Sequence, residues 1–127
     1  MDSTVLILLV EDEHLIRLNL EDELADAGFE VVAATSGDEA IAELDADAAR
    51  FRAVLTDIRL GTGPDGWAVA RQARELVPQM PVAYISGDSG HDWPVHGVPD
   101  SVMVPKPFVA AQILTALSTL LNRLDTC

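Results

Sequence analysis

Apolar runs of three to six residues alternate along this chain with stretches whose hydrophobic residues recur at helical spacing. Val5 to Val10 is continuously apolar, as in a strand buried on both faces. Ile16, Leu20, Leu24 and Ala27 then follow at spacings of four, four and three, which predicts a helix closed by Gly28. Phe29 to Ala34 reads as a second strand. Ser36, with Glu39 three residues on, is a capping-box signature for a helix carrying Ala40, Ile41 and Leu44 inward. Phe51 to Asp57 is a third strand, 61–66 a Gly/Pro/Asp loop, and Trp67 to Val77 a helix with Ala70, Ala73 and Val77 inward, stopped by Pro78. Pro81 to Ser86 and Ser101 to Val104 complete five strands. A last helix from about Phe108 to Leu124 turns Ile113, Leu117, Leu120, Leu121 and Leu124 inward. Strands alternating with helices argue for a parallel sheet with right-handed crossovers.

One interval breaks the alternation. Residues 87–100 contain Gly87, Gly90, Gly97, Pro94 and Pro99. A glycine costs a helix about 1 kcal/mol and an interior proline about 3 kcal/mol. The expectation is a loop or very short helix there, loosely held and mobile.

The polar residues that end the runs carry the chemistry. Val5–Val10 leads into Glu11 and Asp12, and the third strand ends on Asp57. The fourth ends on Ser86, and the fifth passes through Pro105 to Lys106. In a parallel α/β sheet the strand ends converge on one edge, where ligands bind at the switch of strand order. Three carboxylates, a hydroxyl and an ammonium would meet there. Such a set can hold a divalent cation, offer a nucleophile and neutralise a transferred phosphoryl group.

Composition narrows the classes. At 127 residues the chain is one domain by length, and 49% hydrophobic content sets it apart from a disordered tail. No apolar run approaches the roughly 18 residues of a membrane span, and Met1-Asp2 lacks the basic start of a signal peptide. Twenty-one acidic against eight basic residues give a net charge of −13, which opposes binding to nucleic acid. The single cysteine, Cys127, is the last residue, so no disulfide is expected. The three histidines lack metal-ligand spacing, and Trp67 and Trp93 read as packing residues. A cytoplasmic protein that neither spans nor binds a membrane is the expectation.

Leu9-Val10-Glu11-Asp12-Glu13, Leu55-Thr56-Asp57-Ile58-Arg59, Asp65-Gly66, Ile85-Ser86-Gly87 and Pro105-Lys106-Pro107-Phe108 stand in one order over residues 4 to 124. In these motifs the chain resembles the receiver domain of two-component response regulators. The resemblance implies a flavodoxin-like, doubly wound, five-stranded parallel sheet of order 2-1-3-4-5, here with the fourth helix shortened or missing. It implies a receiver over 4–124 of the stand-alone type, with no output domain. Asp57 would be the phosphoacceptor. Mg²⁺ would be held by Asp12, Asp57 and the backbone carbonyl of Arg59, with Glu11 acting through water. Ser86 and Lys106 would bind phosphoryl oxygens, and a cis Lys106–Pro107 bond would aim the lysine. The donor would be a histidine kinase or histidine phosphotransfer protein. The receiver itself, no enzyme beyond self-catalysed transfer and dephosphorylation, would switch an unknown output protein or serve a phosphorelay.

The chain departs from the family in three respects. Gly61 stands where a proline is usual, and Gly66 falls nine rather than eight residues after Asp57, so the intervening loop carries one extra residue. Met103 occupies the place of the aromatic switch residue, and Ser86 to Lys106 is short. Two other readings compete. A non-phosphorylated receiver-like adaptor would not need the intact acids, Ser86 and Lys106. A haloacid-dehalogenase-like phosphatase would want a second Asp where Arg59 stands.

Overall fold

Each of the five apolar runs forms a strand of one parallel sheet. The computed structural model describes residues 5–87 and 92–125, with side chains through 123. In chain order the elements are β1 (Leu6–Val10), α1 (His14–Asp26), β2 (Glu30–Ala34), α2 (Gly37–Asp47), β3 (Ala53–Asp57), α3 (Gly66–Leu76), β4 (Val82–Ser86), α4 (Trp93–His96), β5 (Val102–Pro105) and α5 (Ala110–Asp125). The strand order is β2-β1-β3-β4-β5, as the resemblance implied. β1 pairs in parallel with both β2 and β3, so the order of strands reverses at its two sides.

The continuous apolar runs have a direct cause: both faces of the sheet are covered. Alternate residues of each strand feed opposite cores. Leu8, Val10, Val54, Val82 and Tyr84 pack with Ala40 and Leu44 of α2 and with Trp67, Ala70 and Ala73 of α3. Ile7, Leu9, Ala53, Leu55, Ala83 and Ile85 pack with Leu20 and Leu24 of α1 and with Ile113, Leu117 and Leu120 of α5. β3 and β4 are buried along their whole lengths.

Local signals act largely as expected. Ser36 caps α2 by accepting Glu39 N–H at 3.1 Å, while Glu39 Oε1 reaches back to Thr35 N at 2.7 Å. Asp65 caps α3 by accepting Ala68 N–H at 3.0 Å, and Gly28 ends the turn after α1 at φ +97°. Ala27 departs from the expected inward face. It is exposed, because α1 is already ending there and its N–H bonds back to Glu23 and Leu24. The fourth helix is one four-residue turn, as the glycines and prolines require. The expectation that 87–100 is loosely held fails for its second half, where Val98 N–H donates to the Tyr84 hydroxyl and Pro99 O accepts from Arg74, both outside the interval. Its first half, 88–91 with His91, lies outside the described residues, as do Cys127 and the inward side chain expected of Leu124.

Candidate functional site

The ends of β1, β3, β4 and β5 stand side by side because the strands are parallel and in register, with Asp57 against Ile85 and Ser86 against Pro105. Backbone hydrogen bonds extend the register past the strands. Glu11 N–H donates to Ala34 O at 3.1 Å, Ile58 N–H to Ile85 O at 3.2 Å, and Lys106 N–H to Ser86 O at 2.7 Å. The Lys106–Pro107 peptide bond is cis.

Carboxylate oxygens of Glu11, Asp12 and Asp57 all lie within 4.8 Å of one another. Lys106 Nζ donates to Asp57 Oδ2 at 3.0 Å and stands 3.6 Å from Glu11 Oε1. Asp12 is exposed, Asp57 is 6% exposed, and Glu11 is fully buried. Ser86 is buried at the end of β4, beside them.

Glu11 carries the electrostatic stress of this cluster. Its Oε2 accepts Glu13 N–H at 3.1 Å, but its buried Oε1 has no hydrogen-bond partner among the described residues. Burial raises its pKa to about 7, the Asp57 charge adds to the rise, and the Glu13 N–H and Lys106 oppose it. Burial draws the Lys106 ammonium down, yet its bond to Asp57 and the charges of Asp57, Glu11 and Glu13 leave its pKa raised. One ammonium thus faces three acids. An orphaned buried oxygen beside two further carboxylates is a donor set that fits a hard divalent cation taking oxygen ligands.

The acids precede α1 rather than forming its first turn, since the helix begins at His14 and its N-cap, Glu13, makes no side-chain cap. Arg59 lies just beyond β3, its side chain exposed, in a return loop closed by Gly66 N–H to Ile58 O at 2.8 Å. Gly66 has to be glycine, because a Cβ there would overlap the Asp57 carbonyl oxygen and stand 2.7 Å from Ile58 Cα. Met103 does not join the acids. It sits half-buried in register with Tyr84, in the core shared with α2 and α3.

Three contributors were not visible in the spacing. Arg17 donates to Glu11 O at 3.0 Å and holds the end of β1 from one turn into α1. Thr56 is buried and donates to Asp57 O at 2.8 Å. Tyr84, fully buried two residues before Ser86, packs edge-on to Trp67 with ring centroids 4.7 Å apart. Alternation along β4 was the one available signal, since Tyr84 and Ser86 share a face.

The fold is a doubly wound α/β domain with clustered acids and a lysine at its switch point. The chain matches the response regulator receiver domain over residues 7–118 and belongs to that family, whose members are signalling phosphoacceptors in two-component systems. A crystal structure of a response regulator receiver protein from Sinorhizobium medicae is 51% identical, covers 94% of this chain and 96% of its own, and superposes with a TM-score of 0.91. The C4-dicarboxylate transport transcriptional regulatory protein DctD of Rhizobium meliloti is 31% identical over 90% of this chain and 25% of its own length. The transcriptional regulatory protein PrrA of Mycobacterium tuberculosis is 33% identical over 92% of this chain and 50% of its own. This chain therefore spans a quarter to a half of the length of these curated relatives. No helix among the described residues is long and apolar enough to cross a membrane.

Proposed function

We propose that Asp57 accepts a phosphoryl group from a phosphohistidine donor, a histidine kinase or phosphotransfer protein, with Mg²⁺ at Asp12, Asp57 and the Arg59 carbonyl and Glu11 acting through water. The observation that carries this reading is the buried Glu11 oxygen without a hydrogen-bond partner among the described residues, set against Asp57 and Lys106. An Asp57 carboxylate oxygen forms the new O–P bond as the P–N bond to the donor imidazole breaks, and the departing nitrogen keeps the bonding pair. Two anions must meet, so positive charge has to be present beforehand. Lys106 supplies one such charge, and a bound cation supplies the rest by neutralising phosphoryl oxygens. Ser86, beside Asp57 at the end of β4, takes another phosphoryl oxygen. The domain acts in the cytoplasm as a phosphoacceptor rather than a turnover enzyme, and its net charge of −13 favours protein partners over nucleic acid.

An apolar groove of about 480 Å³ opens beside Lys106, lined by Leu15, Ile16, Asn19, Pro107 and Phe108. Leu15 is 78% exposed at its rim. Continuity with Lys106 makes this the surface for the donor protein. Incubation with a phosphorylated kinase or acetyl phosphate plus Mg²⁺ should add one phosphoryl group, and Asp57→Ala should add none. Label retained by Asp57→Ala would overturn the assignment. Leu15→Glu should slow transfer from the kinase while leaving acetyl phosphate labelling unchanged.

A further inference from the structure

The return from Asp57 to Gly66 has no helix or strand, and two of its residues, Gly61 and Gly63, take positive φ of 76° and 85°. A loop of that composition has little stiffness of its own. Its path is set by what it leans on. Leu60 is 3% exposed. A Cβ at 61 would stand 3.8 Å from Asp12 Oδ2, so the loop runs beside one of the three clustered acids. Further along, Pro64 rests on Gly37, the first residue of α2. A Cβ at 37 would overlap the Pro64 carbonyl oxygen and stand 2.8 Å from its carbon and 2.9 Å from its Cβ.

We propose that Gly37 is a positioning residue for the phosphoryl site. By presenting no side chain, it seats Pro64 against α2 and so sets the path of 58–65, which carries the Arg59 carbonyl and borders Asp12. This inference rests on the cation-assisted acceptor reading given above. α2 is the firm partner: Ser36 caps it, Glu39 Oε1 binds Thr35 through both N and Oγ1, and Ala40 and Leu44 are buried in the core. The atoms Gly37 meets are backbone and a proline ring, not the end of a flexible side chain. A methyl group at 37 therefore displaces the loop rather than the helix. The extra residue after Asp57 has a physical role on this view, because it lets the loop reach α2 and be held there.

Mg²⁺ alone is titrated calorimetrically into the wild-type chain, Gly37→Ala and Ala42→Gly. Ala42 is exposed on the same helix. Glycine there loosens α2 without touching Pro64. Gly37→Ala should weaken Mg²⁺ by about tenfold, the size of effect that outer-sphere partners have, while Ala42→Gly stays within about twofold of wild type on the same scale. At saturating Mg²⁺, Gly37→Ala should still reach full labelling of Asp57. Unchanged Mg²⁺ affinity in Gly37→Ala overturns the inference. Equal weakening in Ala42→Gly does the same, since general loosening of α2 would then explain it. Should Gly37→Ala fail to fold, Pro64→Gly releases the other partner and must also weaken Mg²⁺, or the inference falls. Failure of the wild type itself to bind Mg²⁺ strikes instead at the underlying reading of the site, and the inference goes with it.

Discussion

The hydroxyl of Tyr84 accepts the backbone N–H of Val98 at 3.1 Å, joining the middle of β4 to a residue fourteen positions later. Val98 O in turn accepts the Ser101 hydroxyl at 2.6 Å, and Ser101 Oγ accepts the indole N–H of Trp93 at 2.9 Å. Arg74 adds a bond to Pro99 O at 2.6 Å. The one-turn helix and the approach to β5 are thereby tied to a strand that ends, two residues on, at Ser86. Met103 is in register with Tyr84 across β4 and β5. Burial raises the Tyr84 pKa and keeps the hydroxyl protonated.

Tyr84→Phe removes the acceptor and leaves a buried N–H without a partner, at a cost of about 1–3 kcal/mol. Urea unfolding should show that loss. In a Trp67→Phe background, Trp93 fluorescence should change when the wild-type site is loaded with beryllofluoride, and Tyr84→Phe should diminish the change. Equal stability and an equal signal would mean that the hydroxyl does not couple β4 to the Trp93 segment.

Glu11 makes the stability of the metal-free protein depend on pH. Its pKa rises from 4.5 to about 7 on folding, so the folded state binds the extra proton across that window. Its contribution is then fully present below about pH 4.5 and is lost as pH climbs through about 7. The metal-free chain should therefore unfold at lower urea at pH 8 than at pH 5.5, with Glu11→Gln flattening the difference. Mg²⁺ affinity should show the opposite slope, rising over the same window as the carboxylate loses its proton. A metal-free stability that Glu11→Gln leaves equally pH-dependent would remove Glu11 as the cause.

Lys106→Ala should separate phosphoryl capture from its consequence. The variant keeps the three acids, so Asp57 should still label at high Mg²⁺. It loses the ammonium that bridges Asp57 at 3.0 Å and Glu11 at 3.6 Å, and Glu11 should then titrate still higher. The Trp93 response to beryllofluoride should fall to a small fraction of wild type. A full response in Lys106→Ala would place the coupling elsewhere.

Sequence alone determined the five strands, because a strand buried on both faces must be apolar at consecutive positions, as Val54-Leu55 and Ala83-Tyr84-Ile85 are. It also determined which residues could meet, since parallel strands place Glu11, Asp57, Ser86 and Lys106 at one edge whatever the loops do. The shortened fourth helix was legible for a similar reason: the backbone penalties of glycine and proline are local. Burial and partnership were not. Glu11 reads as one acid among three in sequence, and only packing leaves it fully buried with an unpartnered oxygen while Asp12 remains in solvent. Arg17 on Glu11 O, Tyr84 on Val98 and Pro64 on Gly37 each join residues that no periodicity relates. Such contacts depend on where separately formed elements come to rest against one another, and that is decided by the volumes filling both cores at once.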